Sequence, residues 1–271
     1  MAARLNAAGF THPIFDPIRP WLERLGDGWP SPEALSLLAA ERGLANARGE
    51  SLRFVAPDAL ATGNYEKRIY ETGTVATRPE NLHDLFNALV WLAFPHAKAT
   101  LNALHAGELA REEGRRSPRR SRLRDALTLF DEGGAIVAVS HAPLEALVRE
   151  HRWRELFWHR RGEVRERMRF CVFGHAVLDQ SRDPYPGITC RALFVCVEPS
   201  LLAAPNQALV AHLDAAAAGW FSAQPEITPQ ELPPLPIFGF PDWFENSDRE
   251  DFFADERYFR PLRADSTRHS A

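Results

Sequence analysis

The spacing of apolar residues predicts a mainly helical protein. In the segment NLHDLFNALVWLAF, apolar side chains recur every three or four residues from Leu82 to Val90, which is the spacing of one helix face. Pro95 lacks an amide hydrogen and crowds the preceding turn. This helix is therefore predicted to end near Phe94, and a second helix to begin at Pro95 and run toward Ala110.

Other segments also have helical patterns: FDPIRPWLERLG, SPEALSLLAAERG, PLEALVREHRWRELFWHRR and PNQALVAHLDAAAAGWFSA. In the second segment Ser31 is placed as an N-cap, Pro32 lies in the first turn and Gly43 ends the helix. The segment VRERMRFCVFGHAVLDQS is longer than a usual strand, which favours one buried helix. A strand followed by a helix is the alternative.

Strands are predicted at fewer places. SLRFVAP and TCRALFVCVEP are β-prone, and YEKRIYETG is interpreted as extended, with a helical turn as the alternative. The segment DALTLF-DEGG-AIVAVS predicts a β-hairpin, because two β-prone runs flank a turn at residues 131–134 that contains two glycines.

Helices with a few non-consecutive strands indicate an α+β fold. We expect one mostly helical domain over residues 1–225 with a β-hairpin and a few further strands. Residues 226–271 are rich in Pro and aromatic residues, and are predicted to form an extended arm that its rings hold against the body, frayed after about residue 262. The helix pair is predicted to bury Phe86, Leu89, Val90, Trp91, Leu101 and Leu104.

Composition narrows the class of protein. The chain of 271 residues is 45% hydrophobic and 25% charged, which is ordinary for a soluble globular protein. The start MAARLNAAGF lacks the apolar core of a signal peptide, and no stretch approaches a membrane span. Three cysteines without a CxxC pair suit a reducing compartment. These features predict a cytoplasmic protein with no membrane partner and buried thiols at Cys171, Cys190 and Cys196.

The charge is unevenly distributed. Residues 111–169 carry fifteen arginines against ten acids, and residues 226–256 carry nine acids against Arg249 alone. The two segments either pair within the fold or form separate surfaces. Seven arginines fall within residues 111–124, which reads as an exposed loop. That loop offers phosphate contacts to a nucleic acid, but no aromatic residues are interleaved, so a solvated loop is favoured.

The clearest candidate chemistry lies on the two helices around Pro95. His83 and Asn87 are four residues apart and share a helix face, and so do Lys98, Asn102 and His105 on the next helix. If the helices pack against each other, these faces converge on one pocket. Such a group could bind an anion, ligate a metal ion or move a proton near neutral pH. The simpler interpretation is that Asn81 caps the first helix, Asp84 stabilises its first turn and the rest are solvated.

Two further segments supply charged partners. Asp125 precedes a predicted strand beside Arg124, and is the expected counter-charge for the polar cluster. Asp131 and Glu132 either serve a divalent cation or simply build the hairpin turn. His175 lies in the apolar run VFGHAVLDQ, where it is either a hydrogen-bonded core residue or part of a site, and Gly174 beside it permits another backbone to approach closely.

The motifs YEKRIYETGTVATRPENLHDLFNALVWLAFPHAKATLNALH, RLRDALTLFDEGGAIV, FGHAVLDQ and YFRP resemble an uncharacterised bacterial family with a domain of unknown function. The resemblance runs from about Phe15 to Arg260, and the order of the motifs is specific. Where relatives have Trp before the HD pair, this chain has Leu82, a change expected to affect packing only. The family implies no activity, cofactor or catalytic residue.

Two hypotheses follow, and no phosphate loop, GxGxxG, HExxH, GxSxG or zinc-type Cys/His pattern decides between them. The favoured one is a hydrolase or transferase acting on an anionic substrate, with phosphate-containing compounds among the candidates and a divalent metal ion as the candidate cofactor. Its catalytic residues would be His83, His105 and Asp125; its substrate-binding residues Asn87, Lys98, Asn102, Arg124 and His175; and its metal ligands would come from His83, Asp84, His105 and Asp131. The alternative is a non-catalytic protein that binds a protein partner, a nucleic acid or a small anion.

Overall fold

The computed structural model describes residues 9–57, 63–113 and 121–262, and its helices and strands make an α+β fold. In chain order the elements are α1 (Arg19–Leu25), α2 (Pro32–Glu41), β1 (Arg53–Val55), α3 (Tyr65–Thr72), β2 (Thr74–Ala76), α4 (Leu82–Ala93), α5 (Pro95–Glu113), α6 (Arg122–Gly133), β3 (Gly134–Val139), α7 (Ala142–Arg149), α8 (Arg161–Arg167), β4 (Met168–Val172), α9 (His175–Gln180), β5 (Thr189–Cys196), α10 (Pro199–Leu202), α11 (Asn206–Ala223) and β6 (Pro234–Pro236).

A four-stranded mixed sheet lies at the centre, in the order β4-β3-β5-β6. Strand β3 is antiparallel to β4 and parallel to β5, and β5 is antiparallel to β6. All six residues of β3 are buried, as expected for an inner strand covered on both faces. The short parallel pair β1–β2 forms a separate sheet.

The helix pair around Pro95 has the predicted boundaries. Asn81 caps α4 by accepting the amide of Asp84, and Phe94 leaves the helical conformation immediately before Pro95. Helix α5 then begins at Pro95, and its free amides at His96 and Ala97 donate to the Asp214 carboxylate of α11. A carboxylate at a helix N-terminus satisfies unpaired amides and interacts favourably with the helix dipole. The junction is therefore stabilised by a contact distant in sequence.

The predicted core of this pair is confirmed with one exception. The side chains of Phe86, Leu89, Val90, Trp91 and Leu101 are all buried, whereas Leu104 is only half-buried. The helix boundaries predicted for SPEALSLLAAERG are also confirmed, because Ser31 accepts the amide of Ala34 and the chain leaves α2 just before Gly43.

The predicted hairpin at residues 125–140 is wrong. The segment is helix α6 followed without a loop by strand β3, so residues 131–133 are the last turn of a helix. Leu123, Ala126, Leu127 and Phe130 are buried along one helix face, and Ser121 caps the helix. This amphipathic face and its cap outweigh the turn propensity of the two glycines.

Two other segments differ from prediction. YEKRIYETG is the helix α3, capped by Asn64 and ended by Gly73 in the left-handed conformation. VRERMRFCVFGHAVLDQS is not one helix. It contains the end of α8 and then strand β4 followed by helix α9, so the alternative of a strand followed by a helix describes its larger part. Backbone pairing of β4 with β3 replaces the helical hydrogen bonds that the length of this segment had suggested.

The segment after residue 225 combines strand β6 with short 3-10 turns, so it is not extended throughout. Its aromatic residues do hold it to the body. The Phe240 ring lies 4.7 Å from the ring of Phe170, and the Tyr258 hydroxyl donates to the carbonyl of Ile188. Residues 263–271, where fraying was predicted, lie outside the described residues.

The basic and acidic segments pair with each other. Arg165 binds Asp242 at 2.8 Å, and Arg154 pairs with Glu250, so the first of the two alternatives for the uneven charge is observed. Most of the predicted arginine loop, residues 114–120, lies outside the described residues, and its two ends belong to α5 and α6.

The structure bears on two predictions made from composition, the burial of the cysteines and the lack of a membrane span. Cys171 and Cys190 are buried as predicted, but Cys196, at the end of β5, is exposed. Within the described ranges, none of the helices has the length and apolar character to cross a bilayer.

Candidate functional site

Three helix ends bring two histidines and a glutamate together. His83 lies in the first turn of α4, Glu132 in the last turn of α6 and His175 at the start of α9. The Nε2 atoms of the two imidazoles are 3.2 Å apart, and His175 Nε2 is 3.5 Å from Glu132 Oε2. One ligand atom from each of the three residues lies within 4.8 Å of the other two. We call these residues the His83/Glu132/His175 group.

Gly174 allows this convergence. Its amide donates to the carbonyl of Gly134 at 2.8 Å, which joins the start of α9 to the junction of α6 and β3. A Cβ atom on Gly174 would lie 2.5 Å from the carbonyl oxygen of Glu132 and 2.5 Å from the Cα of Gly133. Only glycine permits so close a backbone approach. The chain thus fixes the separation between Glu132 and His175.

A buried ion pair lies directly behind this group. The Lys98 ammonium donates to Asp131 Oδ1 at 2.6 Å and to Asn87 Oδ1 at 2.8 Å. Asn87 in turn donates to the Tyr65 hydroxyl at 2.8 Å. The other carboxylate oxygen of Asp131 lies 3.7 Å from Nδ1 of His175. Asp131 therefore links the ammonium of α5 to the back of the His175 ring.

Burial and neighbouring charges set the protonation states. Burial lowers the pKa of His175 to about 4, with the Lys98 ammonium and His83 acting in the same direction, so its imidazole is neutral at pH 7. Burial opposes ionisation of Asp131, but Lys98 and His175 outweigh it and hold the pKa of Asp131 below its ordinary value. Burial and the Asp131 charge raise the pKa of Glu132. The imidazole of His175 is consequently available as a neutral ligand.

A second polar group extends from the ion pair along α5. Asn102 donates to Glu66 Oε2 at 2.7 Å and to the Glu66 carbonyl at 2.9 Å. Burial and the charge of Asp131 raise the pKa of Glu66 from 4.5 to about 7. His105 is buried and lines the same narrow gap as Lys98 and Asn102. Glu66 is thus a carboxyl group that exchanges a proton near neutral pH.

The His83/Glu132/His175 group faces a cleft of about 370 Å³, which Asp131 and Glu66 also line. Its acidic lining residues are Glu66, Asp84, Asp131 and Glu132, and its basic ones are Arg78, His83 and His175. Arg78 is largely neutralised, because its guanidinium binds both carboxylate oxygens of Asp84 at 2.8 and 2.9 Å. The described walls therefore attract a cation more than an anion.

The geometry of the His83/Glu132/His175 group fits a transition-metal ion. Zinc binds histidine nitrogen at about 2.0–2.1 Å and carboxylate oxygen at about 2.0–2.2 Å, which places tetrahedral ligand atoms roughly 3.3–3.5 Å apart. The His83–His175 and His175–Glu132 separations of 3.2 and 3.5 Å agree with this. The third side of the triangle is longer, because no nitrogen of His83 lies within 4.0 Å of a Glu132 oxygen, so binding an ion would require the Glu132 or His83 side chain to turn inward. The nitrogen–nitrogen distance equally fits a hydrogen bond between a protonated and an unprotonated imidazole, which is the metal-free interpretation.

The structure brings together several of the residues chosen from sequence. His83 meets His175, and Lys98 meets Asn87 and Asp131. Asn102 and His105 line the gap beside Lys98.

The structure gives three other chosen residues different partners. The counter-charge of Lys98 is Asp131 and not Asp125, because Asp131 lies in the last turn of α6 whereas Asp125 lies in the first. Arg124 does not reach the cluster with a free charge, since it pairs with Glu112, and both side chains are largely buried. The Asp84 carboxylate accepts hydrogen bonds from the backbone amide and the guanidinium of Arg78, and so holds the loop that precedes α4.

The sequence offers Glu132 only as one of two alternatives, a cation ligand or a turn residue, and gives no indication of Glu66 or Tyr65 as site residues. The predicted hairpin favours the turn role for Glu132 and does not show that this residue lies at a helix end. Glu66 and Tyr65 lie on α3, which was interpreted as extended. A helical reading of YEKRIYETG would have placed Tyr65, Glu66 and Ile69 on one face with three- and four-residue spacing.

A family model described as "Protein of unknown function (DUF3025)" matches residues 52–263, and the chain belongs to this family. The resemblance drawn from the sequence motifs is thereby confirmed. Neither the curated proteins nor the solved structures contain a match. The matched residues include every member of the His83/Glu132/His175 group.

Proposed function

We propose that this member of the DUF3025 family is a metal-dependent hydrolase, and that His83, Glu132 and His175 hold a divalent transition-metal ion. The observation that carries the proposal is the convergence of two imidazole nitrogens and one carboxylate oxygen from three helices within 4.8 Å. Zinc fits this donor set best, because two histidines and a glutamate are the protein ligands of one class of zinc hydrolase. Three protein ligands leave a coordination position for water.

The surrounding residues suit such an ion. A bound divalent cation supplies a water molecule of lowered pKa, which is a nucleophile at neutral pH. Asp131 Oδ2 lies 3.7 Å from Nδ1 of His175, and its negative charge favours the tautomer with the proton on Nδ1, whose Nε2 is free to bind. Lys98 keeps Asp131 ionised, and the pair supports the ligand without taking part in coordination.

Glu66 is the group best suited to move a proton. It lines the same cleft as the three ligands, and its pKa of about 7 lets it accept a proton from water and return one to a leaving group. The Asn102 amide donates to one of the Glu66 carboxyl oxygens at 2.7 Å. This assignment replaces Asp125 as the acid/base residue.

A hydrolysis assay tests the proposal. The full chain is stripped with EDTA, reloaded with zinc, manganese or cobalt, and assayed on p-nitrophenyl esters and p-nitrophenyl phosphate. We expect metal-dependent hydrolysis of at least one substrate. His175→Ala and Glu132→Gln should abolish it, and Glu66→Gln should reduce it roughly 100-fold or more while metal binding is retained. His212→Ala, at an exposed position of α11, is the matched control and should be active.

Two results contradict the enzyme. Hydrolysis that survives both EDTA and the His175→Ala substitution would exclude the metal mechanism. Stoichiometric metal binding without turnover of any ester or phosphate ester would instead assign the group to a non-catalytic metal-binding protein, which is the second hypothesis from the sequence.

A further inference from the structure

A second and larger cavity, of about 790 Å³, adjoins the metal-binding cleft. Glu132 lines both. The cleft and the cavity lie on either side of the α6–β3 junction. Gly133 and Ala176 line the cavity, and each comes directly after a residue that lines the cleft, Glu132 and His175 respectively. A molecule in the cavity would therefore lie beside the side chain of a proposed metal ligand. We call it the Arg191 cavity, after the residue that carries the argument below.

The walls of the Arg191 cavity are apolar and basic, in contrast to the acidic cleft. Apolar surface comes from Leu129, Trp153, Val177, Pro234 and Leu262. Its charged lining residues are Arg191, Arg257, Arg260 and Glu132. Cavities of roughly 300–1,000 Å³ with apolar walls and a few polar groups are typical ligand sites. The lining favours a molecule with an apolar body and a negative charge.

Two arginines of the cavity have no ion pair within the described residues, and of these Arg260 is exposed whereas Arg191 is half-buried. Arg191 lies on β5, where it is paired with Gly134, the first residue of β3. Because β3 directly follows α6, Arg191 lies on the strand beside the end of that helix. Its guanidinium is half-buried and donates to the carbonyl of Leu232 at 3.3 Å. In the part of the chain that the structure describes, no carboxylate lies within 4.0 Å of it. Burial lowers the pKa of Arg191, although an arginine stays protonated in proteins.

The other cations chosen from the sequence are already neutralised. Lys98 is bound to Asp131, and Arg124 to Glu112. Arg257, which also lines the cavity, is exposed and bound to Asp255 at 2.7 Å. A buried charge is ordinarily paired, because desolvation without a partner is costly. Arg191 is therefore the group in this region whose partner is best explained as a ligand.

We infer that the Arg191 cavity binds the anionic group of an amphiphilic molecule, a carboxylate or a phosphate monoester attached to an apolar chain or ring. The planar guanidinium suits both anions, since each accepts two parallel hydrogen bonds. Insofar as this molecule is the substrate, the inference rests on the proposed function. The acidic cleft would then hold the metal ion, and the adjoining cavity would hold the substrate by its charge and its apolar body.

Calorimetric titration with simple amphiphiles tests the inference. The EDTA-treated full chain is titrated with octanoate, octyl phosphate and the neutral octan-1-ol. We expect at least one anion to bind more tightly than octan-1-ol, and Arg191→Gln to weaken that anion about tenfold or more. Arg191→Lys retains the charge but loses the two-pronged geometry, and should give an intermediate loss. Arg182→Gln removes an exposed arginine that pairs with Asp179 outside the cavity, and should bind as the parent does.

The outcomes separate this inference from the metal site. Anion binding equal in the parent and in a folded Arg191→Gln or Arg191→Lys variant would overturn it, and so would an absence of anion binding by the parent. A preference for octyl phosphate over octanoate, or the reverse, identifies the anion. In metal-free protein, His175→Ala should bind the anion as the parent does, and in a separate zinc titration it should bind zinc more weakly. Arg191→Gln should bind zinc as the parent does and bind the anion more weakly.

Discussion

Removing one partner of the buried pair Lys98–Asp131 should strongly destabilise the protein. The ammonium and carboxylate are 2.6 Å apart, and their side chains are 6% and 18% exposed. At an effective dielectric constant of about 20 their attraction is about 6 kcal/mol, most of which offsets the cost of desolvating both charges. Lys98→Met leaves the Asp131 carboxylate buried without its main cation. We expect this substitution to lower the free energy of unfolding by about 3–5 kcal/mol.

A double-mutant cycle isolates the interaction. Asp131→Asn alone should also destabilise, because it leaves the buried Lys98 ammonium with neutral amides as its hydrogen-bond partners. The double variant Lys98→Met with Asp131→Asn should be more stable than the sum of the two changes by about 2 kcal/mol or more. Urea unfolding of the metal-free protein, followed by circular dichroism, measures all four free energies.

An exposed pair provides the control. Arg249 and Asp251 are bound at 2.5 Å, but their side chains are 63% and 67% exposed. Arg249→Met should leave the midpoint of urea unfolding unchanged, because an exposed ion pair is screened by solvent. A cost below 1 kcal/mol for Lys98→Met, or additive effects in the cycle, would refute the assignment of Lys98 and Asp131 as a buried, mutually dependent pair.

Three further changes test other parts of the structure. Trp91→Ala removes a ring that is 2% exposed and should cost about 3–5 kcal/mol in chemical denaturation, and an unchanged unfolding midpoint would refute its place in the core. Gly174→Ala should cost about 1–3 kcal/mol and weaken zinc binding, because its Cβ meets the backbone of Glu132, whereas Gly219→Ala, with open space around it, should not destabilise. A carboxyl whose pKa is raised on folding is penalised when it ionises. The stability of the parent relative to Glu66→Gln should therefore fall by roughly 2–3 kcal/mol between pH 4.5 and 7 in metal-free protein, and a flat difference across that range would contradict the shift.

The helix pair α4–α5 could be predicted from the sequence because its signals are local. Asn81 caps one helix, Pro95 separates the two, and the apolar spacing between them has a helical period. The Asp214 carboxylate that caps α5 could not be predicted in this way. It comes from α11, more than a hundred residues later, and only the fold brings it to the amides of His96 and Ala97.

The false hairpin shows where local signals conflict. The pair Gly133–Gly134 has strong turn propensity, and DALTLF alternates in part like a strand. The same segment places Leu123, Ala126, Leu127 and Phe130 on a helical face, and burial of that face against the core decides the outcome. Tertiary packing commonly outweighs such local preferences.

The candidate site could be predicted only in part for the same reason. His83 and His175 were chosen as polar residues within apolar segments, and they lie against each other. The third member, Glu132, depends on the direct passage from α6 to β3 and on the close approach of Gly174. Neither follows from residue spacing. The turn propensity of Gly133 and Gly134 hides the direct passage from helix to strand, and the approach of Gly174 to Glu132 joins segments that are about forty residues apart in the chain.

A zinc titration tests the central claim most directly. Isothermal calorimetry of the EDTA-treated full chain should show one zinc ion bound per chain. His83→Ala, Glu132→Gln and His175→Ala should each weaken binding by at least tenfold, and His212→Ala should leave it unchanged, with the fold of every variant checked by circular dichroism. A parent protein that binds no zinc, manganese or cobalt, or a His175→Ala variant that binds zinc as tightly as the parent does, would contradict the metal site at His83, Glu132 and His175.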